Sequence, residues 1–414
     1  MSGQKSETGG TGQWSGRSRE GERAEWAETT IGEVATVFDG PHATPKKTDT
    51  GPWFLSISSL EKGRLNLAES AHLSEEDFAT WTRRVTPREG DVLFSYETRL
   101  GEAALMPAGV RAALGRRMGI LRPKEGVVEP QFLLYAYLGP EFQETIAART
   151  IHGATVDRIP LVSLHTWPIR LPRLSEQRAI VSVLGALDEK IAANERITAT
   201  AEDLAALLVS GEPERGRVRM EDICVLHKEQ VAPQEIVDAV VDHYSLPAFD
   251  TGKLPERVSP GSIKSGKFTV SEPAVLLSKL NPEIPRVWNV EPDPDVPSLA
   301  STEFLVLVPK GSLTVHELWA VTSQRGFRES LAAKVTGTSK SHQRVRPAEV
   351  MAMEVVDPRQ FGGAGQKIKD LASRAALARQ ESKALAVLRD TLLPQLMSGR
   401  LRVRDAEKIV EDQV

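Results

Sequence analysis

The sequence predicts an α+β chain in which two tandem-repeated α/β domains are separated by two long helices that pair as an antiparallel coiled coil. Three observations support this prediction. A long amphipathic stretch lies near the middle of the 414 residues, a matching stretch lies near the carboxyl end, and one order of strand-like and helix-like segments occurs twice. Two domains and a helix pair fit comfortably within a chain of this length.

The first long helix is predicted from Leu174 to Gly211, a stretch with one interior glycine, Gly185, and no proline. Its apolar and small residues recur in steps of three and four, which is typical of the narrow seam of a coiled coil rather than the broad face of a surface helix. The seam contains Ile180, Leu184, Leu187, Ile191, Asn194, Thr198, Ala201, Ala205 and Leu208. A narrow seam on a long helix requires a partner helix.

The partner is predicted near the carboxyl end, between Gly365 and Gly399. It has the same spacing of small and apolar residues, at Leu371, Ala375, Ala378, Ser382, Leu385, Leu388 and Leu392. Pro394 is expected to break or bend its last turn, because proline has no N–H to donate and clashes with the preceding turn. Both helices end in a Ser-Gly pair, which suggests a duplication.

Segments of the two halves correspond at a nearly constant spacing of 183 to 188 residues, as between Val92 and Val275 or Pro123 and Pro309. In the first half, an opening strand is predicted at Thr29–Phe38 and an amphipathic helix at Glu129–Ala148. A repeat of this length indicates two domains rather than a solenoid. The predicted boundaries are a disordered tail at 1–24, a first domain at 25–173, a first helix at 174–211, a second domain at 212–360, a second helix at 361–400 and a C-terminal tail at 401–414.

Composition restricts the class of protein. The net charge is −4, and acidic residues slightly outnumber basic ones in both domains, by 18 to 16 in residues 26–172 and by 19 to 16 in residues 217–358. A chain that coats nucleic acid nonspecifically is therefore not expected. Cys224 is the single cysteine, so neither a disulfide framework nor a cysteine metal site is expected. No stretch is apolar enough to cross a membrane, and we expect a cytoplasmic protein.

Motifs for catalysis are weak. Phe361-Gly-Gly-Ala-Gly365 is similar to the glycine loop of a cofactor site, but no strand with an acidic residue follows it, so we interpret it as a hinge. Asn281-Pro-Glu-Ile-Pro285 is similar to the Asn-Pro-Pro-aromatic motif of amino-methyltransferases but lacks its second proline and its aromatic residue, so a turn is expected. The histidines have no metal-ligand spacing. The sequence therefore predicts no catalytic residue, no metal site and no cofactor in this chain.

Polar loops at equivalent places in the two repeats are the candidate DNA-binding residues. Basic, amide and small side chains can reach phosphates or base edges. The alternative is that they are ordinary solvated surface. The candidates are Tyr96, Arg99, Arg116, Arg117, His152, Gly153 and Thr155 in the first repeat, and Lys279, Asn281, Thr338, Ser339, Lys340, Gln343, Arg344 and Arg346 in the second.

Two motifs and this architecture together resemble the specificity (S) subunits of type I restriction-modification systems. The resemblance rests on Leu171-Pro-Arg-Leu-Ser-Glu-Gln-Arg-Ala-Ile180 followed by Leu187-Asp-Glu-Lys-Ile191, and on the helix end Leu392-Leu-Pro-Gln-Leu-Met-Ser-Gly-Arg-Leu401. Gly90-Asp-Val-Leu-Phe-Ser95 resembles part of the target-recognition domain of this family.

The resemblance implies a non-catalytic subunit in which each target-recognition domain reads one half of a bipartite site in double-stranded DNA. The helix pair would set the distance between the halves and dock two methyltransferase (M) subunits, which bring S-adenosylmethionine for DNA methylation. Restriction (R) subunits, which use ATP, would act through the same complex. The alternative is a DNA-targeting or scaffold subunit of another DNA-defence assembly without catalysis of its own.

Overall fold

The structure is a computed structural model, and it describes residues 26–41, 45–61, 63–153, 156–210, 216–334 and 343–413. The chain divides into two compact units. Unit 1 comprises residues 1–185 and 390–414, and unit 2 comprises residues 186–389. Within the described ranges, no helix has the length and apolar character needed to span a membrane.

Unit 1 is built on a four-stranded sheet in the order β2-β10-β7-β8, with a three-stranded sheet β6-β3-β9 and the two-stranded pairs β1-β11 and β4-β5. The strands are β1 (Ala27–Thr30), β2 (Ala35–Asp39), β3 (Thr48–Leu55), β4 (Leu60–Glu61), β5 (Arg64–Leu65), β6 (Ala71–His72), β7 (Val92–Ser95), β8 (Ala103–Leu105), β9 (Ala112–Leu114), β10 (Met118–Pro123) and β11 (Pro168–Leu171). Every residue of β7 is buried, so this strand lies at the centre of the core.

The helices of the first half are α1 (Ile31–Val34), α2 (Glu75–Trp81), α3 (Pro130–Leu138), α4 (Pro140–Arg149), α5 (Leu161–Leu164) and the long helix α6 (Leu174–Ser210). The single opening strand predicted at Thr29–Phe38 is wrong, because the helical turn α1 interrupts it. The Gly32 N–H donates to the carbonyl of His165 at 2.7 Å, and a Cβ on Gly32 would lie 2.9 Å from that oxygen. Such a close approach suits only glycine.

The amphipathic helix predicted at Glu129–Ala148 is also two helices, α3 and α4. Gly139 between them has an extended backbone, with φ −68° and ψ 152°, and Pro140 follows it. A residue before proline avoids the helical region, and proline donates no hydrogen bond, so one helix ends and the next begins here.

Unit 2 has a four-stranded sheet β13-β21-β18-β19, a five-stranded sheet β14-β17-β20-β15-β16 and the pair β12-β22. The strands are β12 (Arg217–Arg219), β13 (Cys224–His227), β14 (Gln230–Val231), β15 (Val241–Tyr244), β16 (Glu256–Val258), β17 (Lys267–Thr269), β18 (Ala274–Ser278), β19 (Val287–Val290), β20 (Ser298–Ala300), β21 (Phe304–Pro309) and β22 (Glu354–Val356). The helices are α7 (Met220–Ile223), α8 (Leu246–Gly252), α9 (Val315–Thr322), α10 (Arg325–Ala332), α11 (Pro347–Met351) and the long helix α12 (Gly363–Met397), followed in unit 1 by α13 (Val403–Glu411).

The four-stranded sheets of the two units share one strand order, which confirms the predicted duplication. The order β2-β10-β7-β8 matches β13-β21-β18-β19, and the pair β1-β11 matches β12-β22. The described residues of each domain also include a parallel strand pair, β3 with β9 in the first and β15 with β20 in the second. The second half likewise has two consecutive helices, α9 and α10, in the place that α3 and α4 occupy in the first half.

The parts of α6 and α12 that lie in unit 2 pair in antiparallel orientation, as predicted. Asp188 in the first half of α6 accepts a hydrogen bond from Arg389 at 2.9 Å, while Asn194 further along donates to Glu381 at 2.8 Å. The seam is buried at Leu187, whose side chain is 1 % exposed. Ile191, Leu385 and Leu388 are buried with it, and in unit 1 so are Ile180, Leu184 and Leu392, whereas Leu371 is partly exposed.

The end of the second helix differs from its prediction. Pro394 does not break α12, which continues to Met397. The residues that follow close the helix instead: the Gly399 N–H donates to the carbonyl of Leu396 at 3.0 Å, and Gly399 has a positive φ of 65°. A left-handed glycine after the last turn is a common helix terminus.

Candidate nucleic-acid interface

Three loops of unit 1 meet at the end of β7, and we call residues 96–99, 116–117, 151–153 and 156–159 the first loop cluster. The Tyr96 N–H donates to the carbonyl of Arg117 at 3.0 Å, and the Ile159 N–H donates to the carbonyl of Tyr96 at 2.9 Å. Glu97 and Ile151 both form an isolated bridge with Arg158. The fold therefore brings together the candidates Tyr96, Arg99, Arg116, Arg117, His152 and Gly153, which are far apart in the sequence.

Two of these candidates serve the fold. The side chain of Tyr96 lies in the core with 6 % exposure, and burial, with the nearby Asp39 carboxylate, raises its pKa to about 12. A buried neutral phenol does not reach a ligand at the surface, so Tyr96 is removed from the proposed interface. Arg99 donates to the carbonyl of Ile57 at 2.8 Å and pairs with Glu102 at 3.4 Å, which fixes the loop after β7.

The remaining candidates of the first loop cluster differ in exposure, and Arg117 is half-buried. Arg117 has a positive φ of 76°, and its Nε pairs with Glu97 at 3.0 Å. His152 Nδ1 lies 3.1 Å from the Asp157 carboxylate. Arg116 and Gly153 are exposed, and Thr155 lies outside the described residues.

A second loop cluster occupies the equivalent place in unit 2, and we define it as residues 279–281, 303 and 343–346. The Lys279 N–H donates to the carbonyl of Glu303 at 3.0 Å, and the Val345 N–H donates to the carbonyl of Lys279 at 3.0 Å. The Asn281 N–H donates to the carbonyl of Gln343 at 2.9 Å. The candidates Lys279, Asn281, Gln343 and Arg344 are thus brought together.

The side chains of the second loop cluster are organised around one ion pair. Arg344 donates from Nε and Nη2 to the two oxygens of Glu303, at 3.1 and 2.9 Å. The hydrogen bonds from Arg344 lower the pKa of Glu303, and the charge of Lys279 acts in the same direction. Asn281 has a φ of 47°, and its buried Oδ1 accepts no hydrogen bond from the described part of the chain. Arg346 is exposed, whereas Thr338, Ser339 and Lys340 lie outside the described residues.

The two clusters share a set of equivalent contacts along the chain. Each has an outgoing strand whose serine hydroxyl donates two residues ahead, from Ser95 to the carbonyl of Glu97 and from Ser278 to that of Leu280. Each then has a residue with positive φ, and two backbone hydrogen bonds of the same kind. The equivalent pairs are Tyr96 with Lys279, Glu97 with Leu280, Thr98 with Asn281, Arg117 with Glu303, Arg158 with Arg344, and Ile159 with Val345.

Sequence reasoning missed Arg158, Glu97 and Glu303. Arg158 is exposed, and it stands 186 residues before Arg344, a spacing that falls within the repeat already recognised. Applying that spacing residue by residue would have identified it. Glu97 and Glu303 carried no signal of their own, because their importance lies in which arginine each one contacts.

In the part of the chain that the structure describes, no group of three or more His, Cys, Asp or Glu side chains is arranged to hold a metal ion. Cys224 is buried, and burial raises the pKa of its thiol to about 12, so it is not a reactive thiolate at neutral pH.

Part of the sequence is similar to proteins that are already known. Residues 23–203 match the family model described as type I restriction modification DNA specificity domain. A protein of Methanocaldococcus jannaschii, provisionally named type I restriction enzyme MjaX specificity subunit, is 24% identical over 178 residues. That alignment covers 40% of this chain and spans 40% of the length of the relative.

Similarity of the fold extends over nearly the whole chain. A crystal structure of the type I restriction-modification system S subunit from M. genitalium has a TM-score of 0.56 to this structure at 16% sequence identity. The match covers 91% of this chain and 97% of that one. Residues 23–203 are thus similar to the type I restriction modification DNA specificity domain, and the fold of the chain is similar to that of the M. genitalium S subunit.

Proposed function

We propose that this chain is the DNA sequence-recognition subunit of a type I restriction-modification complex. Each repeat, within the boundaries predicted at residues 25–173 and 212–360, reads one half of a bipartite site in double-stranded DNA. The observation that carries the proposal is the pair of equivalent loop clusters, one in each of two domains of the same topology. Two equivalent candidate DNA-binding surfaces on one chain fit a DNA site that consists of two separated halves.

The paired long helices set the distance between the half-sites and dock two methyltransferase subunits. Those subunits supply S-adenosylmethionine and the methylation of adenine, and restriction subunits supply ATP-driven motion and cleavage. The slightly acidic composition of both domains supports this division of labour, because partner subunits then contribute much of the contact with the phosphate backbone. The chain itself contributes recognition and no catalysis.

A complex of this kind modifies adenine only at the site that its specificity subunit selects. The test is to map methylated adenines across the genome of cells with and without this gene. We expect one bipartite motif to lose its methylation when the gene is deleted. An unchanged map, with an intact methyltransferase that co-purifies with the chain, would contradict the proposal.

The second candidate is a DNA-targeting or scaffold subunit of another DNA-defence assembly that contains no methyltransferase. The same fold and the same loop clusters serve it equally well. Affinity purification of the tagged chain separates the two, because only the first proposal predicts an adenine methyltransferase among the stable partners. In either case the purified chain alone should turn over neither S-adenosylmethionine nor ATP.

A further inference from the structure

The two loop clusters have the same backbone but exchange the sign of one charge. The position before β10 is Arg117 in the first cluster, whereas the equivalent position before β21 is Glu303 in the second. Each loop cluster nevertheless contains an arginine held by a glutamate of the same cluster: Arg117 Nε lies 3.0 Å from a Glu97 oxygen, and Arg344 donates to both oxygens of Glu303. The held arginine therefore comes from a different loop in each domain.

Because of this exchange, the side chain of Arg158 has a different environment from that of the equivalent Arg344. It occupies the place of Arg344 in the backbone arrangement, but its guanidinium has no ion pair or hydrogen bond within the described part of the chain. The acidic side chains beside it are engaged elsewhere, Glu97 by Arg117 at 3.0 Å and Asp157 by His152 at 3.1 Å. Arg158 is thus an exposed positive charge at the rim of the first loop cluster.

An arginine that is paired with a carboxylate of the protein and an arginine without such a partner are suited to contacts with different parts of DNA. Bidentate recognition of guanine requires a guanidinium whose plane is fixed, and a side chain already fixed by a carboxylate loses less conformational freedom on binding. The oxygens of a phosphate group accept hydrogen bonds from a guanidinium or an ammonium group from many directions. The side chain that the protein itself orients is therefore the better base reader, and the side chain that it leaves unpaired is the better phosphate contact.

We propose that the glutamate-held arginine of each loop cluster, Arg117 in the first and Arg344 in the second, reads base edges, whereas Arg158 contacts the DNA backbone. Glu97 and Glu303 are positioning residues that act through these arginines. The inference rests on the proposed function, and it assigns different tasks to the structurally equivalent Arg158 and Arg344. The two half-sites are consequently read from different loops of one shared framework.

Arginine-to-lysine variants test the assignment, because lysine keeps the charge but not the fork. The full chain, assembled with its methyltransferase subunits, is mixed with a pool of duplexes carrying a randomised segment, and the bound sequences are read. Affinity for one selected duplex and one scrambled duplex is then measured over a range of salt concentrations. The variants are Arg158→Ala, Arg158→Lys and Arg117→Lys, and the control is Arg173→Ala, an exposed arginine just before α6 and outside the loop cluster.

We expect Arg158→Ala to weaken binding to both duplexes alike, by about tenfold, with a salt slope about one unit shallower. Arg158→Lys should bind like the wild type. Arg117→Lys should keep its affinity for the scrambled duplex but lose the preference at one base pair. Arg173→Ala should change none of these, and all variants should melt at the temperature of the wild type, which shows that they are folded.

Two results would overturn the assignment while leaving the proposed function intact. One is a wild-type preference that Arg158→Ala relaxes at a single base pair without changing the salt slope. The other is an Arg117→Lys variant that selects the same sequences as the wild type. A wild-type complex with its methyltransferase subunits that selects no sequence from the pool overturns the proposed function, and the inference with it.

Discussion

Replacing Leu187 by aspartate should open the helix pair. Leu187 lies in the seam of α6 with 1 % exposure. Truncating a leucine at such a site to alanine costs about 2–5 kcal/mol, since contacts are lost and a cavity remains. An aspartate there must also be desolvated, which raises its pKa. If that pKa rises by about 3 units, charge burial adds about 4 kcal/mol at pH 7. The sum is comparable to the entire stability of an ordinary domain, about 5–15 kcal/mol.

The assay is urea unfolding followed by the helical circular dichroism signal, for Leu187→Ala, Leu187→Asp and a control. Leu207→Asp is the matched control, because Leu207 lies on the same helix with 64 % exposure. We expect a large loss for Leu187→Asp, a smaller one for Leu187→Ala, and a change of at most about 0.5 kcal/mol for Leu207→Asp. The folded pKa of the new aspartate is raised, so its penalty should shrink as the pH falls towards 4. Equal midpoints for the two aspartate variants would refute the account of the seam.

Two further predictions concern unit 2. Glu202 pairs with both Arg379 and Lys253. The variant Glu202→Gln should therefore leave two half-buried cations without their shared carboxylate and lower the free energy of unfolding by about 2–3 kcal/mol, which is less than the cost of breaking a fully buried pair. An unchanged urea midpoint would contradict this prediction. Burial lowers the pKa of His316, which therefore favours the folded state above its usual pKa near 6.5. That contribution is lost as the pH falls below this value, by at most about 1.4 kcal/mol per pH unit. His316→Gln should show a weaker pH dependence of stability between pH 7 and 5.5 than the wild type, and parallel curves would count against the assignment.

The features that sequence predicted correctly depend on repetition along the chain. The seam residues recur every three or four positions, so Leu187 and Leu388 could be placed in the helix pair without knowing any contact. The duplication was visible because equivalent strands recur at one spacing. Patterns of this kind average over many residues, which makes them robust to a single irregular position.

The failures are local and have local causes. The turn at α1 depends on a hydrogen bond from Gly32 to a residue more than a hundred positions away, and no window of sequence contains both. The burial of Tyr96 and the pairing of Arg344 with Glu303, 41 residues apart, are likewise decided by how loops meet. Pro394 was expected to break or bend the last turn of its helix, but a proline removes only one backbone hydrogen bond, and α12 continues to Met397.

The most direct test of the whole account is an exchange of one domain. Residues 26–172 are replaced by the corresponding domain of a relative whose DNA site is known, and methylated adenines are mapped in cells that express the chimera with its partner subunits. Contacts to separate base pairs are roughly additive, so independent domains should be separable in this way. The account predicts that one half-site changes to that of the donor while the other half-site and the spacing between them stay the same. A site in which both halves change, or neither does, would contradict it.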